Sequence, residues 1–391
     1  MMSLHEDLLN TTVYHKKLRP GRNQSEPTIV SMKMTLDNLV DIDEIAGAVK
    51  ITAKLEVSWT DDRIRWNPTD FNGVDKVLFQ MGDIWVPDLY TMSSLSSKPA
   101  LGMDEFIVRY THDGRAFWEV SDMFWSTCDI RIVYYPVDMQ TCQIIFSTIG
   151  YTSDDVKLKV TERTLVTDAY KDSSAWKLKT AKAFVVRGTS SASDVFIGEV
   201  TYERRSTIYI VTIVVPPAVM GFVHLLVFFL PDDSGERVGF SVTVLLSLAV
   251  YQSMLSEALP KASRPQIPVL SVKIFADLLT SSLIQVCVVV SQYLYVKEQK
   301  REELPRAGKR LSRCLLCLKR KTAVKAADDC SEDESKEEKN VQTPVDSTAD
   351  VYQVRRIFNI VCGCYFLLAT VAANVAIVCV FSDPAHFQAE L

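Results

Sequence analysis

Hydrophobic and polar positions follow two regimes along the 391-residue chain. Across residues 28–200, stretches such as KMTLDNLVDID, VKITAKLEVSWT, FIVRYTHDG and DVKLKVTE alternate apolar and polar residues, with turn residues between them. A period of two turns one side of each stretch inward, which is the signature of half-buried strands. Many short strands with regularly spaced turns predict an antiparallel, immunoglobulin-like β-sandwich. Before them, Leu4, Leu8 and Leu9 share one helical face and predict a short amphipathic helix over residues 4–15. From residue 207 the alternation stops. Four long apolar runs follow, at 207–230, 238–259, 267–296 and 357–381. Each approaches the roughly 20 residues that a helix needs to cross a bilayer.

The first three runs are separated only by PDDSGER and PKASRPQ, whereas residues 297–356 precede the fourth. That long segment begins basic (KEQKREELPRAGKRLSRCLLCLKRK) and turns acidic (DDCSEDESKEE). A basic juxtamembrane stretch marks the cytoplasmic side. Its polar middle is expected to be disordered, with an amphipathic helix before the fourth span. The expected organisation is an extracellular domain at 1–206, three spans within 207–296, a cytoplasmic loop at 297–356, a fourth span at 357–381, and an extracellular tail at 382–391. A multi-pass protein of the plasma membrane, with both termini outside, is the expectation.

Composition refines this picture in a few places. A net charge of −5 gives no reason to expect a nucleic-acid partner. Only two of the nine cysteines, Cys128 and Cys142, lie before the spans, which leaves one possible disulfide in that domain. Sequons at Asn10 and Asn23 agree with a secretory-side location. The start, MMSLHEDLLNTT, has neither a basic region nor an apolar stretch, so no signal peptide is visible and a mature or engineered start is expected. Cys314 and Cys317 lack a second ligand pair nearby, which favours lipidated or unpaired thiols over zinc. Five scattered histidines, with no nucleophile elbow or phosphate loop, argue against an enzyme. No metal or cofactor is expected.

The second apolar run carries the most chemistry. At helical spacing one face holds Glu236, Gly239, Thr243, Leu246, Val250, Ser253 and Glu257. An ordinary buried helix does not account for carboxylates at both ends of a polar stripe, because polar groups within a membrane usually line a cavity. Around a shared axis, Glu236 and Glu257 become carboxylate rings that favour cations, with Glu236 setting selectivity. Gly239 and Thr243 form a narrow passage. Leu246 and Val250 form apolar collars that gate by dewetting. Elsewhere, Lys273 and Asp277 are spaced for a local ion pair, and His224 is expected to be a hydrogen-bonded packing residue.

At this point a resemblance becomes specific. The segment CDIRIVYYPVDMQTC, from Cys128 to Cys142, is similar to the disulfide-closed loop of the Cys-loop receptors. Trp59-Thr-Asp61 with Trp66 resembles their WxD motif, and Trp85-Val-Pro87-Asp88 their WxPD motif. Pro216 in the first span and Ser234-Gly-Glu236-Arg237 before the second continue the match, and the pore run looks most like nicotinic acetylcholine receptor subunits. The resemblance implies a Cys128–Cys142 disulfide and a pentamer of identical or related subunits. It also implies agonist sites between extracellular domains. Gly235-Glu236-Arg237 stands where anion-conducting members carry Pro-Ala-Arg, which implies passage of monovalent cations, with calcium an open candidate. Glu44, Asp138, Arg204 and Pro268 match positions that couple binding to pore motion.

The agonist pocket departs from that pattern. The positions matching the family's aromatic cage hold Met92, Ile149 and Lys54, and residues 184–196 contain neither adjacent cysteines nor tyrosine. A cage for a quaternary ammonium depends on cation–π attraction. Acetylcholine-like amines are therefore poor candidates. Lys54, Arg109 and Arg187 could favour an acidic ligand. Tyr151, Phe184, Phe196, Phe117 and Trp118 could build an aromatic pocket from other positions, with Glu119 a further lining candidate. A vestigial pocket in an accessory subunit is the alternative, and a membrane-anchored binding protein without conduction is a different class again.

Overall fold

Among the described residues the period-two alternation is realised as ten strands. They are β1 (Thr28–Asp43), β2 (Ala48–Thr60), β3 (Lys76–Gln80), β4 (Leu89–Thr91), β5 (Ile107–Thr111), β6 (Arg115–Thr127), β7 (Met139–Thr148), β8 (Val156–Val160), β9 (Trp176–Val186) and β10 (Val195–Arg204). The structure, a computed structural model, describes residues 2–10, 14–21, 23–95, 101–258, 267–300 and 345–382. Cys314, Cys317 and the tail at 383–391 lie outside the described residues. The chain divides into two compact units, with the boundary between Ser206 and Thr207.

In the first unit, one sheet runs β3-β5-β6-β2-β1-β8 and the other β4-β7-β10-β9. All pairs are antiparallel except β1 with β8, where Thr28 lies opposite Val156 in parallel register. The inward faces supply a core that includes Met32, Met34, Phe79, Tyr110, Trp118, Phe146, Phe196 and Tyr202. The Trp59 ring meets Trp85 and Tyr110 edge-on, at centroid distances of 5.8 and 6.4 Å. Asp61 is fully buried, and Arg63 answers it with two hydrogen bonds of 2.8 and 2.7 Å. A buried carboxylate needs such a partner. Helix α1 spans Met2–Leu8, shorter than the 4–15 expected, with Leu4 seated in the core. Cys128 and Cys142 are joined, tying the end of β6 to β7.

Among the described residues, the second unit contains four helices long and apolar enough to span a membrane: α2 (Thr207–Phe228), α3 (Glu236–Ala258), α4 (Val269–Gln299) and α5 (Val345–Ser382). Helix α5 starts well ahead of the apolar run, so the stretch before residue 357 continues directly into the span. In α2, a π turn at Ile210–Val214 precedes Pro216 and Pro217. Buried His224 joins three helices: Nε2 lies 2.8 Å from Ser241 Oγ on α3, and Nδ1 meets Ser281 Oγ on α4. Lys273 and Asp277 form the expected local pair at 2.6 Å. A second network gathers Asp232, between α2 and α3, with Arg237 of α3, Glu298 of α4 and Arg355 of α5. Charges inside a bundle are tolerated when paired in this way.

The β9–β10 hairpin is held by one carboxylate. Fully buried Asp194 accepts from Ser153 Oγ (2.7 Å), Gly188 N (3.0 Å), Leu158 N (3.0 Å) and Arg187 Nη1 (2.5 Å). At Gly188 an added Cβ would collide with the carbonyl oxygens of Ala192 and Ser193, so the hairpin needs glycine there. Burial pushes the Asp194 carboxyl up, but these donors outweigh it and hold the group below the usual carboxylate range. Asp194→Asn is expected to cost about 2–3 kcal/mol of stability, read by thermal denaturation, because it strands donors that point at the charge. An unfolded aspartate titrates near pH ~4, so the stabilisation is complete above that pH and fades as the pH falls through the lower native value. Wild type should therefore lose stability on acidification below about pH 4 more steeply than Asp194→Asn.

Candidate pore and coupling site

Helix α3 has two chemically distinct sides. Arg237, Ser241, Val244, Leu248 and Leu255 are buried against the rest of the bundle. Glu236, Gly239, Thr243, Leu246, Val250, Ser253 and Glu257 are all exposed in the single chain, Leu246 by 62% and Val250 by 53%. The structure thus brings the seven expected pore residues onto one unobstructed face. Thr243 Oγ1 donates to the Gly239 carbonyl at 2.9 Å, which commits its proton to the helix and leaves its lone pairs outward. Arg237, next to Glu236 in the chain, points the other way. Its Nε donates to the Val227 carbonyl at 2.9 Å, and its Nη1 pairs with Asp232 and reaches Ser291 Oγ at 3.2 Å.

The expected coupling residues of the β unit, Glu44, Asp138 and Arg204, meet at the end of β10. The Arg204 side chain is buried, with Nε 2.7 Å from Asp138 Oδ1 and Nη2 3.0 Å from Asp138 Oδ2. The same Nη2 donates to Glu44 Oε1 at 2.8 Å. Trp176 and Tyr135 place their rings 4.2 and 4.9 Å from the guanidinium. Burial works against the Arg204 charge, but the Asp138 and Glu44 carboxylates outweigh it and hold its pKa above the ordinary arginine value. Gln140 braces Asp138 and fastens Arg131 through two 2.9 Å bonds, which fixes the disulfide loop around the cluster. Sequence reasoning missed Trp176, because a cation–π partner from another strand leaves no local pattern. Pro268 is the N-cap of α4, and its carbonyl accepts from Ser271 N at 2.9 Å.

The expected agonist residues fall into two groups on different sheets. On the six-stranded sheet, Lys54 Nζ lies 3.3 Å from Glu119 and 3.4 Å from Glu56, while the Arg109 guanidinium sits 5.8 Å from the Phe117 ring in the adjacent strand. On the four-stranded sheet, Phe184, Ile197 and Ile145 lie side by side in register, and Met92 N bonds the Ile145 carbonyl to extend that row. Met92 and Ile149 are half exposed, at 53% and 50%. Tyr151 Oη accepts from Trp85 Nε1 at 3.1 Å. Two expectations are corrected. Phe196 and Trp118 are core residues at 0% and 1% exposure and line no open pocket. Arg187 and Lys54 are not uncommitted charges for an acidic ligand, since Asp194 holds the first and Glu56 with Glu119 the second. Both sequon asparagines, Asn10 and Asn23, are exposed.

Comparison with known proteins agrees with this arrangement. Residues 2–205 match the family described as neurotransmitter-gated ion-channel ligand binding domain, and residues 213–357 match the neurotransmitter-gated ion-channel transmembrane region. Among curated relatives, acetylcholine receptor subunit beta of Xenopus laevis is 26% identical over 64% of this chain and 53% of its own length. Acetylcholine receptor subunit beta-type unc-29 of Caenorhabditis elegans is 29% identical over 64% and 50%. Neuronal acetylcholine receptor subunit alpha-6 of Mus musculus is 26% identical over 64% and 51%. The chain spans about half the length of the curated relatives it matches. With a disulfide-closed loop, a two-sheet β unit, four membrane-length helices and both halves matched in order, the chain belongs to the neurotransmitter-gated ion channels, the Cys-loop receptors, a family of channels rather than enzymes.

Proposed function

We propose that this chain is one subunit of a pentameric, cation-selective channel of the plasma membrane, with its pore lined by α3 and opened by an extracellular agonist. The observation that carries the reading is a contrast between exposed helix faces. On α4 the exposed face is Val272, Phe275, Leu279, Leu283, Val286 and Val289, and on α5 it includes Ile360, Val361, Leu368 and Val371. Those faces suit lipid. The α3 face offers two carboxylates, a glycine, a threonine and a serine, which suit water. Five copies around an axis make Glu236 and Glu257 cation-attracting rings, and Leu246 with Val250 apolar collars. Monovalent cations are the expected carriers, and calcium is a candidate.

Arg204, Asp138 and Glu44 form the coupling element, because Arg204 stands three residues ahead of α2 in the chain. Pro268, at the head of α4, is its counterpart on the membrane side. Agonists sit between subunits, since the two half-sites occupy different sheets of one chain. With Met92, Ile149 and an ion-paired Lys54 there, the agonist is not acetylcholine. A second reading is favoured by these same residues: an accessory subunit that conducts only beside a related one. The disulfide and the exposed Asn10 and Asn23 fit an extracellular β unit carrying glycans.

Expression alone and beside a related subunit, with recording of current, tests the reading. Leu246→Thr wets the collar and should raise spontaneous current at least about tenfold, an equilibrium shift of about 1.4 kcal/mol. No current in either setting would sink the proposal. Glu236→Gln removes one charge per subunit from the ring. Its reversal potential in diluted sodium chloride should move toward that of chloride, and an unmoved potential would shift selectivity to another ring. Arg204→Lys keeps the charge but loses the fork that spans Asp138 and Glu44. It should reach the surface yet carry well under half the spontaneous current of the Leu246→Thr background. Arg204→Ala, which strands a buried carboxylate at about 3–5 kcal/mol, should fail to assemble.

A further inference from the structure

Pro216 and Pro217 stand side by side in α2, immediately after its π turn. Neither ring nitrogen carries a hydrogen, so the carbonyls four residues back lose the donors that an uninterrupted helix would provide. Those carbonyls belong to Thr212 and Ile213. In lipid every backbone carbonyl needs a partner from within the protein. One side chain on the neighbouring helix answers both: Tyr251 Oη of α3 lies 2.9 Å from the Thr212 oxygen and 2.9 Å from the Ile213 oxygen. A phenol has a single proton, so the bond is shared between the two acceptors. Thr212 does not satisfy its own backbone, because its hydroxyl donates to the Ile208 carbonyl at 2.8 Å. The N–H of Val215 is committed to the Ile210 carbonyl.

We propose that Tyr251 is a positioning residue of the pore, whose hydroxyl supplies the donor withheld by Pro216 and Pro217 and so clasps α3 to the break in α2. Relative movement of the two helices must break or exchange these bonds, which gives the clasp control over how fast the pore changes state. The gating part rests on the reading of α3 as the pore helix. The clasp itself does not.

Two measurements on the full-length assembly separate these. The first is a thermal cycle of Tyr251→Phe in the wild type and in a Pro216→Ala, Pro217→Ala background, where alanine N–H groups restore the missing donors. Tyr251→Phe should lower the midpoint by about 2 °C in the wild type and by less than half as much without the prolines. Equal losses in both backgrounds overturn the clasp. If the double proline variant does not assemble, Pro217→Ala alone restores the donor to Ile213 and should give an intermediate loss. The second reads single-channel dwell times of spontaneous openings in the Leu246→Thr background. Tyr251→Phe should change them about fivefold, as expected for loss of one hydrogen bond. Unchanged dwell times alongside a coupled thermal cycle leave the hydroxyl purely structural and overturn the positioning role. Absence of current from Leu246→Thr itself sinks the pore reading and the gating part with it, while the thermal cycle still decides the clasp.

Discussion

The rotation of α3 about its own axis is the constraint on which the candidate pore depends. Three polar attachments fix it. Arg237 is drawn to the Val227 carbonyl and Asp232, Ser241 to His224, and Tyr251 to the carbonyls of Thr212 and Ile213. At about 100° per residue, Ser241 and Tyr251 lie about 40° to either side of Arg237. The attachments therefore occupy one narrow sector. Leu246, nine residues from Arg237, falls about 180° away, and Val250, Thr243 and Glu236 fan out at about 140°, 120° and 100°. The outward stripe is thus a consequence of what the inward side must satisfy. An arginine adjacent to the candidate selectivity carboxylate, Glu236, does not oppose it, because Asp232 already holds that arginine, and Arg355 completes the network from α5.

The β unit obeys a similar rule at its lower-numbered and higher-numbered ends alike. Asp61 with Arg63, Asp194 with Arg187, and Asp138 with Arg204 are three buried carboxylates, each held by one arginine. Only the third engages a second acid, Glu44, and two aromatic rings as well. It also lies closest in sequence to the first membrane helix. The cluster ties the turn after β1 and the disulfide loop to the end of β10.

Much of this was legible in the sequence for identifiable physical reasons. Strand alternation, run length and the polar stripe of α3 depend only on local periodicity, and the structure reproduces them. Arg204, Asp138 and Glu44 were recoverable because each stands at a position that the family resemblance implies. What could not be read depends on register between distant strands. Glu119 neutralises Lys54 only because β2 and β6 pair as they do, and Trp176 reaches Arg204 only through β9 against β10. The phase of β10 decided Phe196: alternation along Val195–Arg204 turns Phe196 inward and Ile197 outward, so the neighbouring apolar residue holds the surface position. The parallel pairing of β8 likewise had no local signal. Helix α5 is longer than its apolar run because the polar turns before the span, expected as an amphipathic helix, are helical and continue into it without a break.

The two half-sites suggest why the cage residues could be replaced without loss of the fold. Met92 and Ile149 are exposed apolar residues on the four-stranded sheet, where Phe184 lies opposite Ile197, while Lys54, Glu56 and Glu119 form a polar cluster of one net negative charge on the other. Neither group contributes to the core, so both are free to change while the sandwich is preserved. A quaternary ammonium would find a single aromatic ring, Phe184, where a cage of several is needed, and Lys54 would offset part of its attraction to Glu56 and Glu119. A ligand with an apolar body and a polar end matched to a lysine–glutamate pair would satisfy both surfaces. On the proposed reading, ligand choice falls to residues outside the core on two separate sheets, which the packing of the sandwich leaves unconstrained.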